Sequence, residues 1–156
     1  MNRLAAVPLT LILLSFGPVA CGGGGDDSPS KADFAKQANQ ICQDAEKELQ
    51  NLGQASSTEE VANQIDKVID ATQKSVDDLK GLDTPEGSAG EDADKFVSAV
   101  QSDIEGKGIP ALEHLRDAIK SKDQKAAQQA YQELQSIQTT NSDKLAKAAG
   151  VTGCAN

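Results

Sequence analysis

The sequence predicts an all-α fold: an up-down antiparallel bundle of about four helices, the third kinked near Gly106–Pro110. Three observations carry this. Apolar residues recur at helical spacing in four stretches, and nothing after the first thirty residues alternates with period two, so no strand is expected. Glycines at 53, 81 and 150 close three of the stretches, where a helix needs a stop. The connections are short, which favours antiparallel neighbours.

The first helix is expected from Lys31 to Leu52. Ser30 is placed to cap it, with Asp33 three residues on. Phe34, Ala38, Ile41, Ala45, Leu49 and Leu52 form its apolar stripe, and Cys42 flanks that stripe. The second is expected from Thr58 to Lys80. Ser57-Thr58-Glu59-Glu60 reads as a capping box, and Val61, Ile65, Val68, Thr72, Val76 and Leu79 face inward. The third is expected to start near Thr84-Pro85, with proline at the first helical position. Phe96, Val97, Val100 and Ile104 form its stripe. Gly106-Lys107-Gly108-Ile109-Pro110 interrupts it, since proline removes a donor and crowds the preceding turn. Leu112, Leu115 and Ile119 resume the period. The fourth begins after Asp123 and runs towards Ala149 along Ala127, Ala130, Leu134, Ile137, Leu145 and Ala148. Its stripe weakens at Thr139–Ser142, where Thr140 with Asp143 offers a restart. Val151–Asn156 is a short tail carrying Cys154.

The first thirty residues read differently. Arg3 is followed by an apolar or small run from Leu4 to Phe16, too short for a spanning helix of about 20 residues. A basic start, a short apolar run and a small residue before a cut describe a secretory signal, here 1–20. Pro18-Val19-Ala20-Cys21 resembles the lipobox of bacterial lipoproteins, which are cleaved before an acylated cysteine; Pro18 stands where leucine is usual. Cys21 is then the site of lipidation, with palmitate-type chains anchoring the protein in the membrane. Residues 21–30 form a Gly- and Asp-containing tether with an r.m.s. span of about 17 Å. This predicts an extracytoplasmic, lipid-anchored helical domain over 31–156.

Composition narrows the function classes. The chain has 156 residues and a formal charge of −9, and loss of Arg3 with the signal leaves −10. A surface this acidic argues against nucleic acid as a partner. There is no Trp, and Phe16, Phe34, Phe96 and Tyr131 are the four aromatics, so stacking platforms have little to be built from. Of the cysteines at 21, 42 and 154, the last two remain if Cys21 carries lipid. An exported compartment favours a Cys42–Cys154 disulfide. Neither lies in a CxxC or beside a histidine, which argues against a metal or redox role.

The stretches ADFAKQANQIC, GKGIPALEHL and SDKLAKAAGVTGC resemble a group of small helical bacterial lipoproteins of unassigned function. The resemblance implies the same exported, cysteine-to-cysteine frame. It implies no substrate and no reaction.

Candidate chemistry is sparse. His114 is the sole histidine, and one imidazole makes no zinc site without partners at ligand spacing. Glu91-Asp92-Ala93-Asp94 concentrates carboxylates but lacks the spaced ligands of a calcium loop. Glu105-Gly106-Lys107-Gly108 lacks the pattern and preceding strand of a phosphate loop. No nucleophile elbow occurs. Gln124, Gln128, Gln129, Gln132, Gln135 and Gln138 read as a solvated face, or as a polar protein-binding face. The sequence thus predicts no enzyme, no cofactor and no metal. It favours a domain that binds a protein or envelope component. The alternative is a small-ligand carrier or sensor, which requires a pocket of roughly 300 Å³ or more between helices.

Overall fold

The computed structural model describes residues 28–137 and 140–154. Among them the regular structure is wholly helical: α1 (Lys31–Gln50), α2 (Thr58–Lys80), α3 (Gly87–Asp103), α4 (Ile109–Ser121), α5 (Gln124–Ser136) and α6 (Thr140–Ala149), with a π-helical turn at Ile104–Gly108. The expected cleavage region, Cys21 and most of the tether lie outside the described residues.

Helix α1 starts as its sequence requires. The Ser30 hydroxyl accepts from Asp33 N at 3.2 Å, and the Asp33 carboxylate accepts from Ser30 N at 3.3 Å. At α2 the cap differs from the expected box. Ser57 Oγ accepts from Glu60 N at 3.2 Å, but Glu60 reaches back to Ser56 N, at 2.6 Å, rather than to Ser57. The extended backbone at Ser57 leaves the Ser56 amide and hydroxyl facing that carboxylate.

Helix α3 corrects the expected start. Pro85 lies before the helix, Glu86 occupies the cap position without a side-chain bond, and Gly87 opens α3 at φ 65°. The buried Pro85 carbonyl oxygen sits where a Cβ on Gly90 would have to go, so the turn folds tightly onto that bare glycine. At the expected interruption the chain stays helical. Ile109 N donates to Ile104 O, a π-type bond, and Pro110 falls in the first turn of α4. Widening the ladder ahead of Pro110 absorbs its missing donor without unwinding the chain.

Two later helices end in the same motif by different residues. Lys122 takes a left-handed conformation at φ 58°, and Asp123 N reaches Ala118 O at 2.9 Å. Gly150 does the same at φ 81°, with Val151 N on Ala146 O at 2.7 Å. Asp123 then caps α5 through its carboxylate, which accepts from Lys125 N and Ala126 N. The expected fourth helix is two segments: Ile137 is extended, and α6 starts at Thr140.

The core joins α1, α2, α3 and α6 to the tail. Phe34, Ala38, Leu79, Ala93, Phe96, Ala146, Ala149 and Val151 form one buried cluster. Full burial of a side chain such as Phe or Val is worth about 1.5–3 kcal/mol. The many alanines let helix backbones approach closely, so the cluster is thin and its few large residues matter more. Helix α4 packs on α2 and α5, and α6 packs on α3. Arg116 of α4 bridges to Asp66 of α2 at 3.0 Å, and Lys120 joins the same carboxylate at 3.2 Å. The Arg116 and Lys120 bonds hold the Asp66 carboxyl below the usual carboxylate range. No helix among the described residues is long and apolar enough to cross a membrane.

Candidate functional site

The tail decides where the molecule is open. Gly150 turns the chain off α6, Val151 drops into the core, and Gly153 N donates to Asn39 Oδ1 at 2.6 Å. This carries Cys154 to disulfide distance of Cys42, with a Cα–Cα separation of 5.3 Å. The two cysteines meet as the sequence led us to expect.

The tail's cover of α1 ends at that point. Phe34 and Ala38 are fully buried, Ile41, Cys42 and Ala45 are half-buried, and Leu49 is 39% exposed although it continues the same stripe. Beyond Cys42 the stripe, alongside α2, borders a cleft of about 350 Å³. Ala45 and Leu49 form one wall. Val76 and Leu79 of α2, and Phe96 and Val100 of α3, form the floor and the opposite side. Ser142, Asp143, Gly153 and Cys154 close one end. The lining is mainly apolar and comes from four helices and the tail.

Polar groups converge on the cleft at few points. Asp103, at the end of α3, is 8% exposed and receives Lys107 Nζ at 2.7 Å across the π turn. Thr72 and Ser75 lie on the α2 side, where the Ser75 hydroxyl donates to Ala71 O at 2.8 Å. Ser142 is buried to 8% exposure. Just outside, Glu105 is held below the usual carboxylate range by the Gln101 amide, and then by Gln73 and Lys80, which share its other oxygen. This network ties the π turn to α2 and fixes the rim of the cleft.

The other sequence candidates do not assemble into a site. His114 is exposed and stands 3.3 Å from Glu133 on α5. Glu91 pairs with Lys95 on its own helix, and Asp94 is exposed. No group of three His, Cys, Asp or Glu side chains suited to a metal ion occurs among the described residues. Glu105 to Gly108 is the π turn, with Lys107 committed to Asp103. Gln124, Gln128, Gln129, Gln132 and Gln135 are exposed, and Gln138 lies outside the described residues, as does Cys21.

Sequence reasoning missed Asp103, Ser142 and the cleft itself. Asp103 sits between Val100 and Ile104 on the apolar stripe of α3, and a carboxylate in a stripe was the one available signal. No protein-family model, no curated protein and no solved structure matches this chain.

Proposed function

We propose that this chain is a membrane-anchored extracytoplasmic lipoprotein whose non-catalytic helical domain acts by binding, and that the cleft beside Cys42–Cys154 is where it binds. The single observation that supports a small-ligand carrier or sensor over a flat protein-interaction module is the mainly apolar lining of this cleft, drawn together from α1, α2, α3 and α6 around a space of about 350 Å³. Small-molecule sites are mostly apolar concavities of about 300–1,000 Å³ with a few placed polar groups. The exposed Leu49 at the rim and the glutamine face of α5 support the second reading, a surface for an envelope protein. We read the helices as an up-down antiparallel bundle of four rods, the third bent at Gly106–Pro110.

The position of the cleft suits a tethered receptor. Ser28 bonds to Glu86 at 3.1 Å, so the tether enters beside the start of α3. Leu49 lies eighteen residues beyond Lys31, about 27 Å along α1. The cleft, lined on α1 from Cys42 to Leu49, therefore lies along the helix from the end where the tether enters.

Two experiments test this reading. Native mass spectrometry of the chain from its producing cells is expected to find a non-covalent small molecule that an Ala45→Phe variant lacks. Equal occupancy of both would overturn the cleft as the site. Metabolic labelling with an alkyne fatty acid is expected to tag the chain and to miss Cys21→Ala; continued acylation of that variant would overturn the anchor.

A further inference from the structure

Every ionisable side chain lining the cleft is an acid. Glu46 stands on the α1 side, Asp103 at the end of α3, and Asp143 on α6. Among the described residues, no lysine, arginine or histidine belongs to the lining. Lys107, outside it, engages Asp103 Oδ1 at 2.7 Å while its own side chain remains 55% exposed. A carboxylate offers about four acceptor positions over its two oxygens, so one lysine does not fill Asp103.

The two halves of the cleft ask for different chemistry. Its apolar walls, Ala45, Leu49, Val76 and Val100, favour an aliphatic or aromatic body. A volume of about 350 Å³ accommodates roughly ten to twelve carbon atoms, taking each methylene as about the 30 Å³ of a water molecule. The acidic rim penalises an anionic head group by like-charge contact and favours a cation. The whole chain, at −9, adds a field of the same sign. We propose that the cleft takes a cationic amphiphile: a single aliphatic chain of about ten carbons bearing an ammonium group, with its charge between Glu46 and Asp103. This rests on the binding role proposed above and names the chemical class of that ligand.

The test compares three probes of equal chain length by isothermal titration calorimetry on the full chain: decylammonium, decanol and decanoate, each below its micelle concentration. Decylammonium is expected to bind at least about tenfold tighter than decanol, with decanoate weakest, and its advantage is expected to shrink with added salt. Ala45→Phe, whose ring fills the cleft, is expected to remove binding of all three. The double substitution Glu46→Gln and Asp103→Asn is expected to bring decylammonium down to decanol's affinity. Should that variant unfold, the head-group preference of the unsubstituted chain still decides the matter.

The opposing outcomes are distinct. Equal affinity for the three probes, or preference for decanoate, overturns the cationic assignment and leaves the binding role standing. Decylammonium binding that survives Ala45→Phe overturns it as well, since surface charge alone would then account for it. Binding of none of the probes overturns both readings. Concentration-dependent dimerisation that occludes the cleft, read by sedimentation, would also overturn it, because a second copy would then be the occupant.

Discussion

Removing the Cys42–Cys154 link separates two accounts of how the tail is held. The cysteines are 112 residues apart, so the link closes most of the domain into one loop. The chain-entropy relation gives about 4.8 kcal/mol at 25 °C for a loop of this length. Unfolding a domain of this size releases about 2.1 cal/mol/K per residue, so the double substitution to serine is expected to lower the melting temperature by about 15–18 °C. The tail has independent hold: Val151 is fully buried, and Gly153 N bonds to Asn39. The native fold should therefore survive in the cold with its helical signal intact. The assay is circular dichroism at 222 nm, scanned with temperature, on the oxidised chain, the reduced chain and the double serine variant. A count on the denatured, unreduced chain should find the thiols of Cys42 and Cys154 blocked. A fall of less than about 3 °C would refute the reasoning, because the link would then only pin a terminus that frays without global unfolding. Free thiols at both positions would refute the link itself.

Three further outcomes are expected. Gly90→Ala should destabilise by about 1–3 kcal/mol in urea melts, because its Cβ collides with the Pro85 carbonyl and the turn before α3 must shift. Lys122→Gly should stabilise by about 0.5–1 kcal/mol in the same melts: the left-handed conformation at φ 58° costs a side-chain-bearing residue about 1–2 kcal/mol, partly offset by glycine's greater freedom when unfolded. Acid should weaken the fold. Asp33, Glu60, Asp66 and Glu105 are each lowered by hydrogen bonds to their neighbours, Ser30, Ser56, Arg116 and Gln101 foremost. Their folded pKa values lie below the unfolded ones, so their contribution is present above pH about 4 and is lost as pH falls through the folded values. Melting temperature should be flat from about pH 5 to 8 and drop below about 4.

Helix identity was legible because it follows from local rules. Apolar spacing located α1 and α2 almost to the residue, and Ser30, Ser57 and Asp123 announced three starts. The misreading at the start of α3 came from a place where one residue has two uses. Pro85 was given the first position of α3, yet it packs its carbonyl against Gly90 and leaves Gly87 to begin the helix. At Gly106–Pro110, read as a kink or a break, the chain passes through a π turn and stays helical. The cleft was invisible because it is a failure of cover, and cover depends on where other elements end. Leu49 carries the same pattern signal as Phe34, yet one is 39% exposed and the other 1%.

That failure of cover follows the path of the tail. Helix α6 stops at Ala149, and Gly150 sends the tail across α1 rather than along it. The tail meets α1 at Asn39 and Cys42 while Val151 stays in the core. Helix α1 continues for two more turns past Cys42. Ala45 and Leu49 lie on those turns and line the cleft with residues of α2 and α3, and no other element among the described residues fills it. Extending α1 past the tail, with α2 alongside it, leaves apolar exposure at Leu49, a cost that a polar residue at 49 would avoid. The stripe nevertheless stays apolar through Leu52, and buried Asp103 stands on the facing helix. An apolar stripe that the described residues leave partly open, beside a buried carboxylate on the facing helix, is the arrangement on which the proposed binding role rests.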